Sequence, residues 1–306
     1  MSNPNIKEDR YLSNFATTYR VGGGVGDFVA PPFKVNRYAD RYAVWDKSNQ
    51  RIYDAKVVGR EIAKEIDCAV SYAEYFCERY KLAKFLEDRT RDNTDIPINI
   101  EQKFVQDVKD AILVACEKRI YDIAGNASIV TQTSSPSNKW NNKTSGTPIS
   151  DILTKKVTVL KACQKEPNRI LMTAEVALQM IQCDEYKDYF KYTEGGRQDI
   201  FSAINGLRNI GLEPMIAGMF AGNTNPGGAS DPGSELMWGE SVLMFYSEPQ
   251  PSLQARTFMY SPYTYKDQVM RIREERQEGT IFELREERDE LLVDATCAYL
   301  WTNTLA

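Results

Sequence analysis

The 306-residue chain contains no histidine. This removes the side chain that most often moves protons near neutrality and a common nitrogen ligand for zinc. Cysteine is sparse as well. Cys68, Cys77, Cys116, Cys163, Cys183 and Cys297 are scattered, with no Cys-x-x-Cys pair. They read as reduced, mostly buried thiols, and a tetrahedral metal cluster is not expected. No apolar stretch approaches the roughly 18 residues that cross a bilayer, mean hydropathy is −0.47, and the opening MSNPNIKEDRYLSNF is polar rather than signal-like. Nor is there a basic excess: the net charge is −5 with 26% charged residues, unlike a chain whose main work is gripping phosphates. These absences predict a soluble protein that stays where it is made, with no catalytic, cofactor or metal residues, no cofactor and no membrane partner.

A 42% hydrophobic content lets a chain of this length bury one or two cores. Residues 1 to about 30 are polar and end in VGGGVGDFVAPP. Four glycines in five positions from Gly22 suggest a flexible hinge in an extended arm. A phosphate cradle is disfavoured, because no Gly-Lys-Ser/Thr follows and Pro31-Pro32 blocks an immediate helix. Then FKVNRYADRYAVWD, with Phe33, Val35, Tyr42, Val44 and Trp45, reads as strand, and CAVSYAEYFCERYKLAKF repeats the alternation through Val70, Tyr72 and Tyr75. The polar DAKVVGREIAKEID between them makes the pair a projecting two-stranded ribbon. Such a ribbon is marginal in water, so it needs another surface to lie on.

Asn99 with Gln102 forms a capping-box pattern, followed by Phe104, Val105, Val108, Ala111, Ile112 and Ala115 at helical spacing, with Gly125 as a natural terminator. The spacing predicts a helix of about 25 residues, on the order of 38 Å long. The acidic residues before it, Asp88, Asp92 and Asp95, lack calcium-loop spacing and read as solvated charge. A Ser/Thr/Asn-rich stretch, 128–147, reads as a boundary, and its matches at Asn126 and Asn142 to the glycosylation pattern carry no meaning in an unexported protein. Beyond it, a helix from Ile149 to about Gln164, the strand RILM, a helix capped by Thr173, a helix around Ile200–Leu207 and the run MIAGMF describe an α/β unit. LMWGESVLMFYSEP reads as two strands about a tight turn. The tail, with its REER runs, GTIFEL and LLVDATCAYLW, reads as long strands with charged faces. The strand-to-helix junction at Thr173 is where α/β enzymes often place a nucleophile, yet no histidine serves it.

In this order the segments PPFKVNRYADRYAVWDKSN, VSYAEYFCERYKLAKFLEDRTRDNTDIPI, PNRILMTAEVALQMIQCDEYKDYFKYT and LMWGESVLMFYSEPQPSLQARTFMY resemble the major capsid proteins of tailed bacteriophages, with the Hong Kong 97 capsid fold. The resemblance runs from about Phe28 to Trp301. It implies an α+β fold with an N-terminal arm at 1–30 and an extended loop at 34–72. A peripheral domain would combine 73–135 with 250–306 around a spine helix at about 99–125, and an axial α/β domain would fill 147–249. It further implies a homo-oligomer, hexamers and pentamers tiling an icosahedral shell around double-stranded DNA, in the virion and in the host cytoplasm during assembly. The implied partners are a scaffolding protein, a portal, possible decoration proteins and the packaged DNA, touched non-specifically. Tyr42 and Trp45 are candidate buried anchors between subunits. Lys56 and Lys64 fall in the extended loop, but no local motif marks a cross-link. A cargo-holding encapsulin-type shell is the near alternative, and an enzyme using Asp88, Asp92 and Asp95 the distant one.

Overall fold

A computed structural model describes residues 6–19, 22–45, 54–56, 62, 65, 70–93, 99–191, 199–220, 236–252 and 256–305. The N-terminal third contains β1 (Ile6–Glu8), α1 (Arg10–Thr18), α2 (Gly26–Val29), β2 (Pro32–Lys34), β3 (Ala39–Trp45), β4 (Val70–Phe76), β5 (Glu78–Glu87) and α3 (Asp88–Asp92). Next come α4 (Ile100–Ala124), β6 (Thr133–Ser134), α5 (Pro148–Cys163), β7 (Arg169–Thr173), α6 (Ala174–Gln182), α7 (Asp184–Phe190), α8 (Ile200–Asn209) and β8 (Glu213–Ala217). The last strands are β9 (Val242–Phe245), β10 (Met259–Glu274), β11 (Gly279–Arg288), β12 (Leu291–Leu292) and β13 (Ala298–Trp301).

The described residues form three sheets. A six-stranded sheet is ordered β1-β10-β11-β5, with β2 and β12 also paired to β10. A five-stranded sheet is ordered β6-β13-β9-β7-β8, and among the described residues β3 and β4 pair only with each other. The long helix α4 serves both larger sheets. Its N-terminal half sends Val105, Val108 and Ile112 into a core with Leu12, Leu86, Val269, Phe282 and Leu284. Its C-terminal half sends Cys116, Ile120 and Ala124 into the core of the five-stranded sheet. One apolar stripe at helical spacing therefore feeds two cores, and each fully buried side chain contributes about 1.5–3 kcal/mol.

The sequence-based elements mostly recur, with informative departures. The polar N-terminal region is not an extended arm over 6–18. Asp9 caps α1 by accepting the Leu12 N–H at 3.1 Å, and Leu12 and Ala16, one turn apart, are buried. Asn99 caps α4 by accepting the Gln102 N–H at 3.2 Å, but Gln102 Nε2 donates to Tyr11 Oη at 2.7 Å instead of reaching back to its cap. Gly125 ends α4 in right-handed geometry, with φ −88. The returning aromatic strand is two strands, broken at buried Cys77, whose N–H donates to Tyr38 O at 2.7 Å. LMWGES is not a hairpin arm: Leu236 makes a single bridge to Phe220, and β9 pairs with β13 and β7. Trp238 is used elsewhere, its Nε1 donating to Glu117 of α4 at 3.2 Å. The charged tail does form long strands, joined by a turn in which Glu278 takes φ +46.

The expectation of reduced cysteines also fails at one pair. Cys163, the last residue of α5, is bonded to Cys297 across 134 residues of sequence, with Cα atoms 5.0 Å apart. Cys77, Cys116 and Cys183 are free and buried, and Cys68 lies outside the described residues. Spacing along the chain gave no sign of the pair, because only the packing of α5 over the last strand brings it together.

Candidate assembly surfaces

Among the described residues the β3–β4 ribbon is anchored at its base and bare above it. Its register runs from Ala39 opposite Phe76 to Trp45 opposite Val70. Tyr42, Tyr75, Val35 and Cys77 form a small core with Leu291 and Val293 packed against it, and the Phe76 N–H donates to Asp289 Oδ2 at 3.1 Å. Burial pushes the Asp289 carboxyl above the ordinary range. On the outside, Tyr72, Tyr38 and Phe76 are 71%, 58% and 56% exposed. Tyr38 and Phe76 meet edge to face, with ring centroids 5.9 Å apart. The Arg41–Glu74 pair across the ribbon, at 2.9 Å, is solvent-exposed on both sides and contributes about 0–1 kcal/mol. With no further strand paired to it among the described residues, the ribbon has little internal reason to persist.

The six-stranded sheet has one covered face and one open one. Burial along β11 alternates: Phe282, Leu284 and Glu286 are buried, whereas Ile281, Glu283 and Arg285 are half-buried. The buried set faces α1 and α4 through their common core. The other set continues through Met270 and Ile272 of β10 and Phe85 of β5 by the strand register, and Phe85 is 38% exposed. Charges of both signs edge this face: Arg285–Glu283 at 2.5 Å, Lys81–Glu283 at 3.7 Å and Arg79–Glu287 at 2.8 Å. The result is an apolar strip rimmed by ion pairs, the composition of a surface that excludes water only when something lies on it.

Between the two cores runs a buried ionic seam. Lys109, 2% exposed, donates to Glu286 at 3.0 Å and to Asp267. Asp267 takes φ +61 in the irregular stretch of β10 between Tyr265 and Gln268. Arg288 lies 3.3 Å from Glu290 and 3.7 Å from Asp27, Arg119 holds Glu290 at 2.9 Å, and Lys266 holds Asp27 at 3.1 Å. Four cations thus face four anions, so the seam is neutral as a unit, as burial demands. Burial nonetheless pushes the Lys109 ammonium below its usual range. The sequence held a signal for this seam: Lys109 falls on the apolar stripe between Val105 and Ile112. Beside the seam a cleft of about 330 Å³ opens among Gly24, Phe28, Leu113, Met215 and Met219. The buried Glu117 in its wall accepts the Val25 N–H at 2.8 Å as well as the Trp238 indole, so it holds the glycine turn against α4. In that turn Gly23 takes φ +78, and a Cβ there would stand 2.8 Å from the Gly218 backbone.

The residues singled out from the sequence do not converge. Thr173 caps α6 and donates to Gly239 O at 2.9 Å. Asp88 is held by Arg273 at 2.7 Å and Asp92 ends α3; Asp95 lies outside the described residues. Tyr42 is buried within its own subunit, which removes it as an anchor for another. The side chain of Trp45 lies outside the described residues, as does Lys64, and the Lys56 backbone N–H donates to Asp54 Oδ1 at 3.1 Å. Among the described residues the one cluster with metal-ligand spacing is Cys163, Asp294 and Cys297, and its two sulfurs are bonded to each other. No helix among the described residues is long and apolar enough to cross a membrane.

No family model and no curated protein matches the sequence. Solved structures do match. A phage-related protein from Bordetella bronchiseptica is 20% identical, with a TM-score of 0.73 over 97% of each chain. A chain from Mycobacterium phage Adephagia is 10% identical, with a TM-score of 0.58 over 94% of this chain and 92% of that one. A virus-like particle from Pyrococcus furiosus matches at 9% identity and a TM-score of 0.52, over 95% of this chain and 96% of that one. At such identities what is shared is the path of the chain, and it is shared from end to end. The protein has the Hong Kong 97-type capsid fold that its sequence resembles.

Proposed function

We propose that this protein is the major capsid protein of a tailed bacteriophage, building hexamers and pentamers into an icosahedral shell that encloses double-stranded DNA. The observation that carries the reading is a bare ribbon and a bare sheet face on one chain whose fold is shared over 97% of its length with a phage-related protein. Each supplies what the other lacks. The seven-residue strands of the ribbon span roughly 24 Å and the β10–β11 ladder roughly 33 Å, so a neighbour's ribbon fits along the strip of Phe85, Met270, Ile272 and Ile281. A contact of this head-to-tail kind closes into rings when the rotation allows.

On this reading 1–30 is the N-terminal arm, with α1 packed on the peripheral core, 34–72 the extended loop, 73–135 with 250–306 the peripheral domain, and 147–249 the axial domain around the capsomer axis, whose sheet also takes in β6 and the returning strand β13. A scaffolding protein, a portal, decoration proteins and non-specific contact with packaged DNA complete the set of partners, and the protein ends in the virion after assembly in the host cytoplasm. Its work is structural rather than catalytic. The likeness to a virus-like particle favours one second reading, a cargo-holding compartment without a genome. Electron microscopy of the expressed protein, alone and with its scaffold, tests the proposal. Closed shells are expected, and Ile281→Glu with Phe85→Glu should give folded subunits that do not assemble. A wild-type protein that stays monomeric under all assembly conditions would overturn it, and extraction of native particles separates DNA from protein cargo.

A further inference from the structure

We propose that Cys163 and Cys297 form a late staple: the subunit folds and assembles as the dithiol, and the bond closes when finished particles meet an oxidising medium. The inference rests on the shell reading for its timing and on the following geometry for its chemistry.

Both sulfur-bearing residues are 0% exposed, and they meet only when α5 lies over the five-stranded sheet and β13 is in place. Folding must therefore precede the bond. Folding also does not need it. Strand β13 is held on one side by β9, from Ala298 opposite Phe245 to Trp301 opposite Val242, and on the other by β6. Trp301 packs against Trp140 and Tyr299, at centroid distances of 5.9 and 4.8 Å, and Gln132 Nε2 donates to Thr296 O at 2.7 Å. The dithiol has every one of these contacts.

Oxidation has one route in and one product. Cys297 closes a single 3-10 turn, Ala295–Cys297, that is capped by Asp294, and the neighbouring Asp294 and Thr296 are half-exposed. Opening that turn exposes one sulfur at the cost of the Tyr246 N–H to Cys297 O and Gln132 Nε2 to Thr296 O hydrogen bonds, and leaves the β9–β13 pairs from Ala298 to Trp301 in place, whereas Cys163 is the last residue of a 16-residue helix. A Cys297 thiolate can attack a small disulfide such as oxidised glutathione, releasing one glutathione thiolate. Cys163 then attacks the mixed disulfide at the Cys297 sulfur and releases the second glutathione. Two thiol protons and two electrons are transferred, and one glutathione disulfide becomes two thiols. The closed bond ties the chain's last strand, which returns from the six-stranded sheet, into the core it rejoins, and so resists the peeling of β13 when neighbours pull on that sheet.

The test uses particles of the wild type, Cys163→Ser and Cys297→Ser made in a reducing cytoplasm. Each is quenched with iodoacetamide under denaturing conditions, either at once or after exposure to oxidised glutathione, and read by peptide mass spectrometry and calorimetry. We expect alkylated Cys163 and Cys297 in the first sample and the bridge in the second, with the unfolding midpoint raised by roughly 10 °C. Both serine variants should assemble with wild-type yield, and Cys163→Ser should accumulate glutathione on Cys297. A bridge already complete in immediately quenched chains, thiols still alkylated after oxidation, or folded serine variants that fail to assemble would each overturn the staple. Absence of shells from the wild type would instead overturn the shell reading, while the thiol count on the free subunit still reads whether oxidation follows folding.

Discussion

Lys109 and Asp151 show how buried charge is handled in this chain, and each makes a measurable claim. Lys109 is the cation shared by Glu286 and Asp267 on the seam. Lys109→Met keeps the volume but leaves two buried carboxylates facing each other, so denaturant unfolding should show a loss of about 3–5 kcal/mol. Asp151, in the first turn of α5, accepts the Trp140 indole N–H at 3.0 Å. Burial pushes its carboxyl above the usual 3.8, and nearby Glu185 adds to this against Lys155. The folded form therefore keeps a proton that the unfolded chain has already lost, so this group's contribution to stability falls as pH rises above about 3.8. Asp151→Asn preserves the acceptor and removes the charge. It should match the wild type in thermal melts at the acid end of that window and exceed it at pH 7. Single residues were also where sequence reasoning was weakest. Tyr42 looked like an anchor for another subunit, but its partners Val35, Tyr75 and Cys77 lie around it in the same chain, because an alternating strand pattern states which residues share a face and not what that face meets.

Secondary elements were the most legible level. Helix α4 was expected over about 99–125 and spans Ile100–Ala124, and α5 was expected from Ile149 to Gln164 and spans Pro148–Cys163. In both, the apolar stripe is a local signal that burial reinforces, and in α4 the Asn99 cap adds to it. Helix α1 was missed because its stripe is only Leu12, Phe15 and Ala16 in a polar segment. The break at Cys77 was missed because both halves alternate in the same way. The β3–β4 ribbon was anticipated, and its marginal stability gives an element-level prediction. In free subunits the amides of 39–45 and 70–76 should exchange with deuterium quickly, near the rate of local opening, and in assembled particles they should slow by orders of magnitude. Equal protection in both states would mean that the ribbon does not rely on a neighbour.

The whole molecule is two cores threaded by one helix, with an ionic seam between them and two bare surfaces outside. If those surfaces are covered by copies of the chain, unfolding is linked to dissociation. Calorimetry should then place the assembled shell's transition well above that of isolated capsomers, with the gap closing when Ile281→Glu blocks assembly. The sequence by itself determined the list of elements, the absence of histidine chemistry and the overall family of folds, because periodicity, capping residues and composition act over a few neighbouring positions. Only the tertiary structure decided which strands share a sheet, that α4 serves two cores, that Lys109 meets Asp267 and Glu286, and that Cys163 meets Cys297. Those contacts join residues more than a hundred positions apart, and no local pattern constrains which distant partner a buried charge or thiol will find.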